Sequence, residues 1–169
     1  MFGLLRSLVV VGALCASSTA SATRVELYNG PDQDSSLTCV IAVVDNTLIL
    51  DGCNLQVRDG TGSTAPAAST STNGLGNIVV GYNEDNSNRV RARGGSHNVV
   101  IGPQHDYQSF GGLLLGNDHT VTAQYGSSVG GQGNTVEGAY STAVGGQDNL
   151  LTGRWSATAG GDSNEVVGD

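Results

Sequence analysis

The second half of the chain consists of short runs in which apolar and polar residues alternate. Val136 alternates with Thr135 and Glu137 in the run NTVEG, and a second run, YSTAV, follows one residue later. Alternation with a period of two is typical of short strands that bury one face, whereas the frequent glycine argues against helices. Two such strands and two turns fit into fifteen residues, which predicts one coil of a parallel β-solenoid.

The same pattern returns at regular intervals from residue 77 onwards. An asparagine, or His119 in one unit, starts each unit, and the intervals are 21, 21, 15, 15 and 15 residues. An apolar residue follows two positions later, and a glycine doublet closes most units. A repeat of this kind is stronger evidence for the architecture than the local preferences of single residues. We therefore predict an all-β solenoid over residues 77–169. The repeated positions are Asn77, Asn98, Asn134, Asn149 and Asn164, the apolar Val79, Val100, Val121, Val136, Val144, Leu151 and Val166, and the doublets Gly94, Gly95, Gly130, Gly131, Gly145, Gly146, Gly160 and Gly161.

Each repeated residue type has a predicted place in the coil. Glycine fits corners where φ is positive or where a side chain would meet the next coil. Asparagine is expected at another corner, in a left-handed conformation and stacked in an amide ladder. Val136 and Val144 are expected in the apolar interior, and Tyr125, Tyr140 and Trp155 should form an aromatic file along one edge.

The first residues have the pattern of a secretory signal peptide. Arg6 precedes a short apolar run, and the small residues of STASA follow it. We therefore predict a signal peptide at residues 1–22, cleavage after Ala22, and a secreted or cell-surface chain without a membrane span. The alternative is a lipoprotein with Cys15 as the lipidated residue, although Leu14 stands where a small residue is expected.

Residues 23–59 are predicted to form a small N-terminal β cap, which would cover the first coil of the solenoid. Asp45 and Asn46 make a hairpin turn between two apolar runs. The strands are expected at residues 25–28, 40–44, 47–50 and 55–57.

Cys39 and Cys53 are the two cysteines that remain after removal of the signal peptide. In an oxidising compartment such a pair predicts a disulfide within the cap. The segment 60–76 is rich in Ser, Thr, Ala and Gly, and it is predicted to be a linker or loop before the solenoid.

The charge of the chain disfavours several classes of partner. Asp and Glu number 15 against 7 basic residues, and every basic residue is arginine. An acidic, lysine-free chain is a poor ligand for nucleic acid or anionic membranes. Arg89, Arg91 and Arg93 form the one basic cluster, and their alternation indicates one face of a strand, with a phosphate or glycan contact as the alternative.

Several motifs resemble chemical sites, but the repeat explains them more simply. The run GSSVG, with Ser128 at its centre, matches the nucleophile elbow of hydrolases, yet no helix follows, and Ala143 and Thr158 occupy the same position in later units. Asp148 and Asp162 lie in runs similar to calcium-binding nonapeptides, but the period differs. We expect solvated turn residues there and leave calcium binding open.

The three histidines lack the spacing of metal ligands, and a structural role is expected for each. They are His97, His105 and His119. No catalytic, metal-binding or cofactor-binding residue is therefore predicted, and no cofactor.

Units of the type Ser-x-Ala-Val-Gly-Gly-x-x-Asn-x-Val-x-Gly resemble the head repeats of trimeric autotransporter adhesins, which form YadA-like left-handed β-rolls. The resemblance extends over residues 77–169, and related units occur in uncharacterised secreted bacterial repeat proteins. It implies a left-handed β-roll, a homotrimer, and binding to a host or matrix surface. The units here are longer and carry paired glycines, so the mode of export and direct adhesion are not implied.

The sequence therefore predicts a secreted structural or binding protein that is not an enzyme. Its expected partners are two further copies of the chain and a glycan or matrix surface. One alternative is a carbohydrate-active β-helix or phage-type fibre, which needs acidic residues converging on one face. The other is an ice- or mineral-binding solenoid, which needs a regular threonine or aspartate array, and Thr120 and Thr122 form one row of that kind.

Overall fold

The computed structural model describes residues 23–27, 39–52, 54–65, 72–85 and 90–168. For residues 23–27, 39 and 40 it describes the backbone alone. Strands and turns account for all regular structure in these ranges, and they contain no helix that could cross a membrane. The chain divides into two units, Met1–Gln56 and Val57–Asp169.

The first unit contains an antiparallel sheet of three strands in the order β1-β2-β3. Positive φ angles of 46° at Asp45 and 64° at Asn46 form the predicted tight hairpin turn. The strand expected at 55–57 is wrong, because Leu55 points into solvent and these residues join no sheet. The strands are β1 (Thr23–Leu27), β2 (Cys39–Val44) and β3 (Thr47–Asp51).

Three predictions for the N-terminal part lie outside the described residues. The signal peptide at 1–22 is one, and the disulfide is another, because Cys53 and the side chain of Cys39 are not described. Both stay predictions. The third concerns part of the segment 60–76, since residues 66–71 are not described. The rest of that segment is tied down by hydrogen bonds, with Asn73 Nδ2 donating to the Asp59 carbonyl at 2.9 Å.

The second unit is the predicted parallel β-solenoid, built from two sheets that the chain visits in turn. We call the six-stranded one sheet I and the five-stranded one sheet II. Sheet I contains β4 (Ile78–Val80), β5 (Val99–Ile101), β7 (Leu113–Asn117), β9 (Ser127–Gln132), β11 (Thr142–Val144) and β13 (Ala157–Ala159). Sheet II contains β6 (Asp106–Tyr107), β8 (Thr120–Val121), β10 (Thr135–Val136), β12 (Leu150–Leu151) and β14 (Glu165–Val166).

The strand register confirms the fifteen-residue coils and corrects one longer unit. Val136 pairs with Leu151 and with Val121, as the repeat predicts. The second 21-residue unit is wrong, because Val100 pairs with Leu114 in sheet I, whereas Val121 pairs with Tyr107 in sheet II. That interval spans one coil and a half. Both corners of the coil carry an asparagine followed by valine and glycine, so the pattern alone could not tell one corner from the other.

The interior lies between the two sheets and is filled from both. Sheet II contributes large residues such as Val136 and Leu151. Sheet I contributes the large Leu114 in an early coil and the small Ser128 and Ala143 in later coils. Val136 is fully buried, as predicted. Val144 is not an interior residue, because a three-residue strand turns its middle residue inward, and the side chain of Val144 is 51% exposed. The buried apolar cluster consists of Val100, Tyr107, Leu114, Val121, Val136, Ala143 and Leu151.

The glycine doublets form the corner after sheet I. The pairs Gly130-Gly131, Gly145-Gly146 and Gly160-Gly161 all have positive φ, between 69° and 91°. Side chains rarely adopt that conformation, which explains the glycine. The prediction that Gly94-Gly95 shares this conformation is wrong, because this doublet precedes Asn98 and β5 and so lies at the opposite corner, before sheet I.

Candidate functional site

A hydrogen-bond ladder follows the corner before sheet II. In each coil one side-chain atom accepts the backbone N–H of the equivalent residue one coil later. The distance is 3.0 Å from Asn149 N to Asn134 Oδ1 and 3.0 Å from Asn164 N to Asn149 Oδ1. The amide groups also bond to each other, which confirms the predicted amide ladder. We call the whole set the corner ladder; its members are Asn83, His105, His119, Asn134, Asn149 and Asn164.

Two asparagines that the sequence placed in this ladder belong to the opposite corner. Asn77 Oδ1 accepts the Asn98 N–H, and Asn98 Oδ1 accepts the Gly112 N–H, each at 2.8 Å, just before sheet I. Sequence analysis missed Asn83 and assigned His105 to none of the repeated positions. The fourteen-residue spacing of His105 and His119 was a usable signal.

From His105 to Asn164 the left-handed conformation falls on the residue before each ladder member, and the prediction that the asparagines adopt it is wrong. Asp118 has a φ of 56°, Asp148 of 51° and Ser163 of 56°, whereas no member of the corner ladder except Asn83 has a positive φ. The turn places the left-handed residue at the tip, which leaves the asparagine free to begin the next strand with its side chain turned inward. Burial of the asparagine amide then makes the hydrogen bonds of the ladder obligatory.

His105 and His119 fill two successive positions of the corner ladder. Both rings are fully buried and stacked, with centroids 5.3 Å apart. His105 Nδ1 accepts the N–H of His119, and His119 Nδ1 accepts the N–H of Asn134, each at 3.2 Å. Nε2 lies 3.2 Å from a backbone carbonyl in both rings. These partners fix the neutral tautomer in which Nε2 carries the proton.

Burial lowers the pKa of both imidazoles. For His119 burial and the neighbouring His105 lower the pKa to about 4. For His105 burial is again the main cause of the lowered pKa, opposed by hydrogen bonds to backbone carbonyls. Both rings are therefore neutral at pH 7 and act as hydrogen-bonding spacers in the place of asparagine.

The predicted aromatic file exists and is longer than expected. Tyr125 and Tyr140 stack at 5.2 Å, and Tyr140 and Trp155 at 6.1 Å, while Phe110 meets Tyr125 edge-on at 5.1 Å. Phe110 is buried, and exposure then increases along the file to 70% at Trp155. The guanidinium of Arg154 lies 4.3 Å from the Trp155 ring centre. Sequence analysis missed Phe110 and the positive φ of the two tyrosines and the tryptophan.

Arg91 is the centre of a buried ion-pair cluster. Its guanidinium lies 2.6 Å from Asp118 and 3.3 Å from Asp106, and its side chain is almost inaccessible. Arg93 pairs with Asp85 at the edge of the same cluster. The expectation of a strand face is wrong for residues 90–95, because they join no sheet. Their arginine side chains are positioned by ion pairs instead. Arg89 lies outside the described residues.

The two sheets differ in the chemistry of their outer faces. On sheet II the outward positions carry hydroxyl and carboxylate groups, for example Thr120, Thr135 and Glu165. Leu150 is the apolar exception. On sheet I the outward positions are almost all apolar, and several are well exposed. This apolar face consists of Ile78, Val80, Val99, Ile101, Leu113, Leu115, Val129, Val144, Ala157 and Ala159, with Ser127 and Thr142 as its polar members.

The structure also locates the motifs with possible chemistry. Ser128, the centre of the GSSVG run, is fully buried in strand β9, where no substrate could reach it. Asp148 and Asp162 are exposed turn residues that accept hydrogen bonds from neighbouring side chains. The described residues contain no group of three side chains suited to hold a metal ion.

Comparison of the chain with protein-family models, with curated proteins and with solved structures finds no match.

Proposed function

We propose that this protein is a secreted structural or binding protein that forms a homotrimer through the apolar face of sheet I. The exposed flank, formed by the aromatic file and the outer face of sheet II, then contacts an extracellular surface such as a glycan or a matrix protein. The apolar face is the observation that carries this proposal. The sequence resemblance to trimeric adhesin heads and the predicted signal peptide support it.

The apolar face is too regular to be an accident of composition. In the four strands from β5 to β11 both outward positions are apolar, apart from Ser127 and Thr142, while the middle residue is buried. Large contiguous apolar surfaces on soluble proteins mark sites of association. Burial of one aliphatic side chain contributes about 1.5–3 kcal/mol. Three copies that pack this face about one axis would remove it from water.

A second copy is the best occupant because the face repeats with the coils. Each coil offers the same two outward positions, so a symmetric partner meets the same chemistry at every level. The narrow interior strengthens the case, since Ser128 and Ala143 leave little apolar volume inside the later coils. The chain therefore carries much of its apolar surface on the outer face of sheet I. A monomer would leave that surface exposed to water, which is unfavourable.

The flank offers the features of a contact surface. Trp155 and Tyr140 are exposed, and Arg154 lies across both rings. Tryptophan, tyrosine and arginine are the residues most enriched where protein interfaces gain their affinity. The backbone of the solenoid holds these groups rigidly, which lowers the entropy lost on binding.

Light scattering coupled to size exclusion tests the assembly. The mature wild-type protein should elute with the mass of three chains. Val144→Glu places a carboxylate on the apolar face and should give monomers. Thr152→Glu adds the same charge on the outer face of sheet II and should remain trimeric. A wild-type mass of one chain at micromolar concentration, with a cooperative melt, refutes the assembly.

A binding screen on glycan and matrix-protein arrays tests the contact surface. The wild-type protein should retain a defined set of ligands, and Trp155→Ala should lose them. Asp162→Ala, in the exposed turn between β13 and β14 and outside the flank, should keep them. Mass analysis of the bound glycans before and after incubation distinguishes binding from cleavage. Shortened products would favour the alternative of a carbohydrate-active β-helix over the proposal.

A further inference from the structure

The two histidines of the corner ladder differ from the asparagines in one chemical respect. An asparagine Oδ1 accepts the next N–H at any pH above strong acid, whereas a histidine Nδ1 accepts it only while the ring is neutral. Four of the six members are asparagine and two are histidine, and the two histidines are adjacent. The ladder therefore has one segment whose hydrogen bonds depend on protonation.

We infer that the His105–His119 pair is an acid-sensitive joint of the solenoid, at which uptake of a proton breaks the corner ladder and loosens the coils that it joins. A proton taken from solvent occupies the Nδ1 lone pair. The new N–H then points at the backbone N–H of the next coil, so an attractive contact becomes repulsive. The ring cannot compensate by flipping, because its Nε2–H already donates to a buried carbonyl.

The stacking couples the two rings. With centroids 5.3 Å apart, two imidazolium charges would repel each other strongly, because both rings are fully buried. A single proton on His119 breaks the hydrogen bond to Asn134, and a single proton on His105 breaks the one to His119. Either event disrupts the same stretch of the ladder, between β6 and β10.

The charged groups around the pair do not cancel the cost of a buried imidazolium. Asp118 and Asp106 are the neighbouring carboxylates, but both are ion-paired with Arg91, whose own charge opposes protonation of His105. Arg93 Nε donates to the His105 carbonyl and adds a further positive charge nearby. Burial remains the largest influence on both rings, and it favours the neutral form.

The pH window follows from the sign of the shift. A histidine of the unfolded chain has a pKa of about 6.5, and the folded pKa of His119 is about 4, so the unfolded state binds the proton first. Stability from this group is complete above pH 6.5 and is lost as the pH falls towards 4. Between pH 7.5 and pH 5 the equilibrium between the closed and the opened joint should shift about 30-fold towards the opened form through His119. Most carboxylates are still ionised at that pH.

Hydrogen exchange followed by mass spectrometry tests the joint, with rates corrected for the intrinsic effect of pH. In the wild-type protein the peptides that contain residues 117–121 and 132–136 should lose about 30-fold in protection between pH 7.5 and pH 5. Peptides that contain Asn149 and Asn164 should keep theirs. An equal loss of protection along the whole ladder contradicts a local joint.

The double variant His105→Asn with His119→Asn removes the titrating imidazoles. It keeps the hydrogen-bond acceptors, since asparagine Oδ1 accepts the equivalent N–H in the later coils. Its protection should not change between the two pH values. His97→Asn is the matched control, because His97 lies outside the ladder and its left-handed backbone tolerates asparagine. This control should respond to acid like the wild type. An equal acid response in the double variant and the wild type overturns the inference.

A direct titration covers the case in which the double variant does not fold. Nuclear magnetic resonance of the imidazole carbon-bound protons gives the pKa of each histidine in the wild-type protein. The inference expects both ladder rings to titrate below the ordinary value, with His119 near 4. Two ladder histidines that titrate at about 6.5, without a change in the Asn134 amide signal, would refute it.

Discussion

The corner after sheet I offers a matched pair of glycines that separates backbone strain from coil contact. Gly145 and Gly146 both have positive φ, 69° and 76°. A methyl group on Gly145 would meet no atom within 4 Å. A methyl group on Gly146 would collide with the carbonyl of Gly161 in the next coil and lie 2.5 Å from Asn149 Nδ2. The two alanine variants therefore share the strain and differ in the collision.

The magnitudes follow from these two contributions. Gly145→Ala carries the strain alone and should reduce the free energy of unfolding by about 1–2 kcal/mol. Gly146→Ala carries the same strain and also pushes two coils apart, which strains the packing and weakens the hydrogen bond from Gln147 N to the Gly161 carbonyl, now 2.9 Å. Together these effects should cost about 3–6 kcal/mol.

Chemical denaturation of both variants, followed by circular dichroism at one protein concentration, measures the difference. The wild type provides the reference, and unchanged slopes show that both variants unfold from the same folded state. Gly146→Ala should be the less stable variant by at least about 1 kcal/mol. Equal stabilities, or a less stable Gly145→Ala, would show that Gly146 does not lie against Gly161 of the next coil.

Three further outcomes are expected. Leu151→Ala should reduce the free energy of unfolding by about 2–5 kcal/mol in a thermal or chemical melt. Leu150→Ala, at the half-buried position beside it, should reduce that free energy clearly less. A reversed order would contradict the register of sheet II. Asn149→Ala should cost at least about 1–3 kcal/mol in the same melt, because it leaves the N–H of the asparagine one coil later without its acceptor, and no loss would contradict the corner ladder. Mass spectrometry of the unreduced mature protein should find Cys39 bonded to Cys53, and two free thiols would exclude the predicted disulfide.

The sequence predicts the coil well where successive units start fifteen residues apart. There the positions of Val136, Leu151 and the glycine doublets are fixed by repetition, since each coil must stack on its copy. Nearer the N-terminus the predicted repeat positions no longer match the strand pairing, because coils of fourteen residues occur there. Asn98 and His119 carry similar surroundings but lie at opposite corners, and only the pairing of the strands distinguishes them.

Two features of the candidate surfaces could not be found from the pattern. Val144 follows Ala143 in a strand of three residues, and alternation cannot say which of the two faces inward when both are apolar. The structure buries the smaller side chain, Ala143, in the same apolar cluster as Val136 and Leu151. The positive φ of Tyr140 is also invisible in the sequence, since aromatic residues rarely adopt it.

Hydroxyl-radical footprinting of the assembled wild-type protein tests most directly whether the apolar face of sheet I is buried between chains. In a single chain Leu113, Leu115 and Val144 are all exposed to solvent, and so are Tyr82 and Trp155 outside that face. If that face is buried between chains, the three aliphatic side chains resist oxidation while the two aromatic ones react. Oxidation of Leu113, Leu115 and Val144 in proportion to their exposure in the single chain would contradict it.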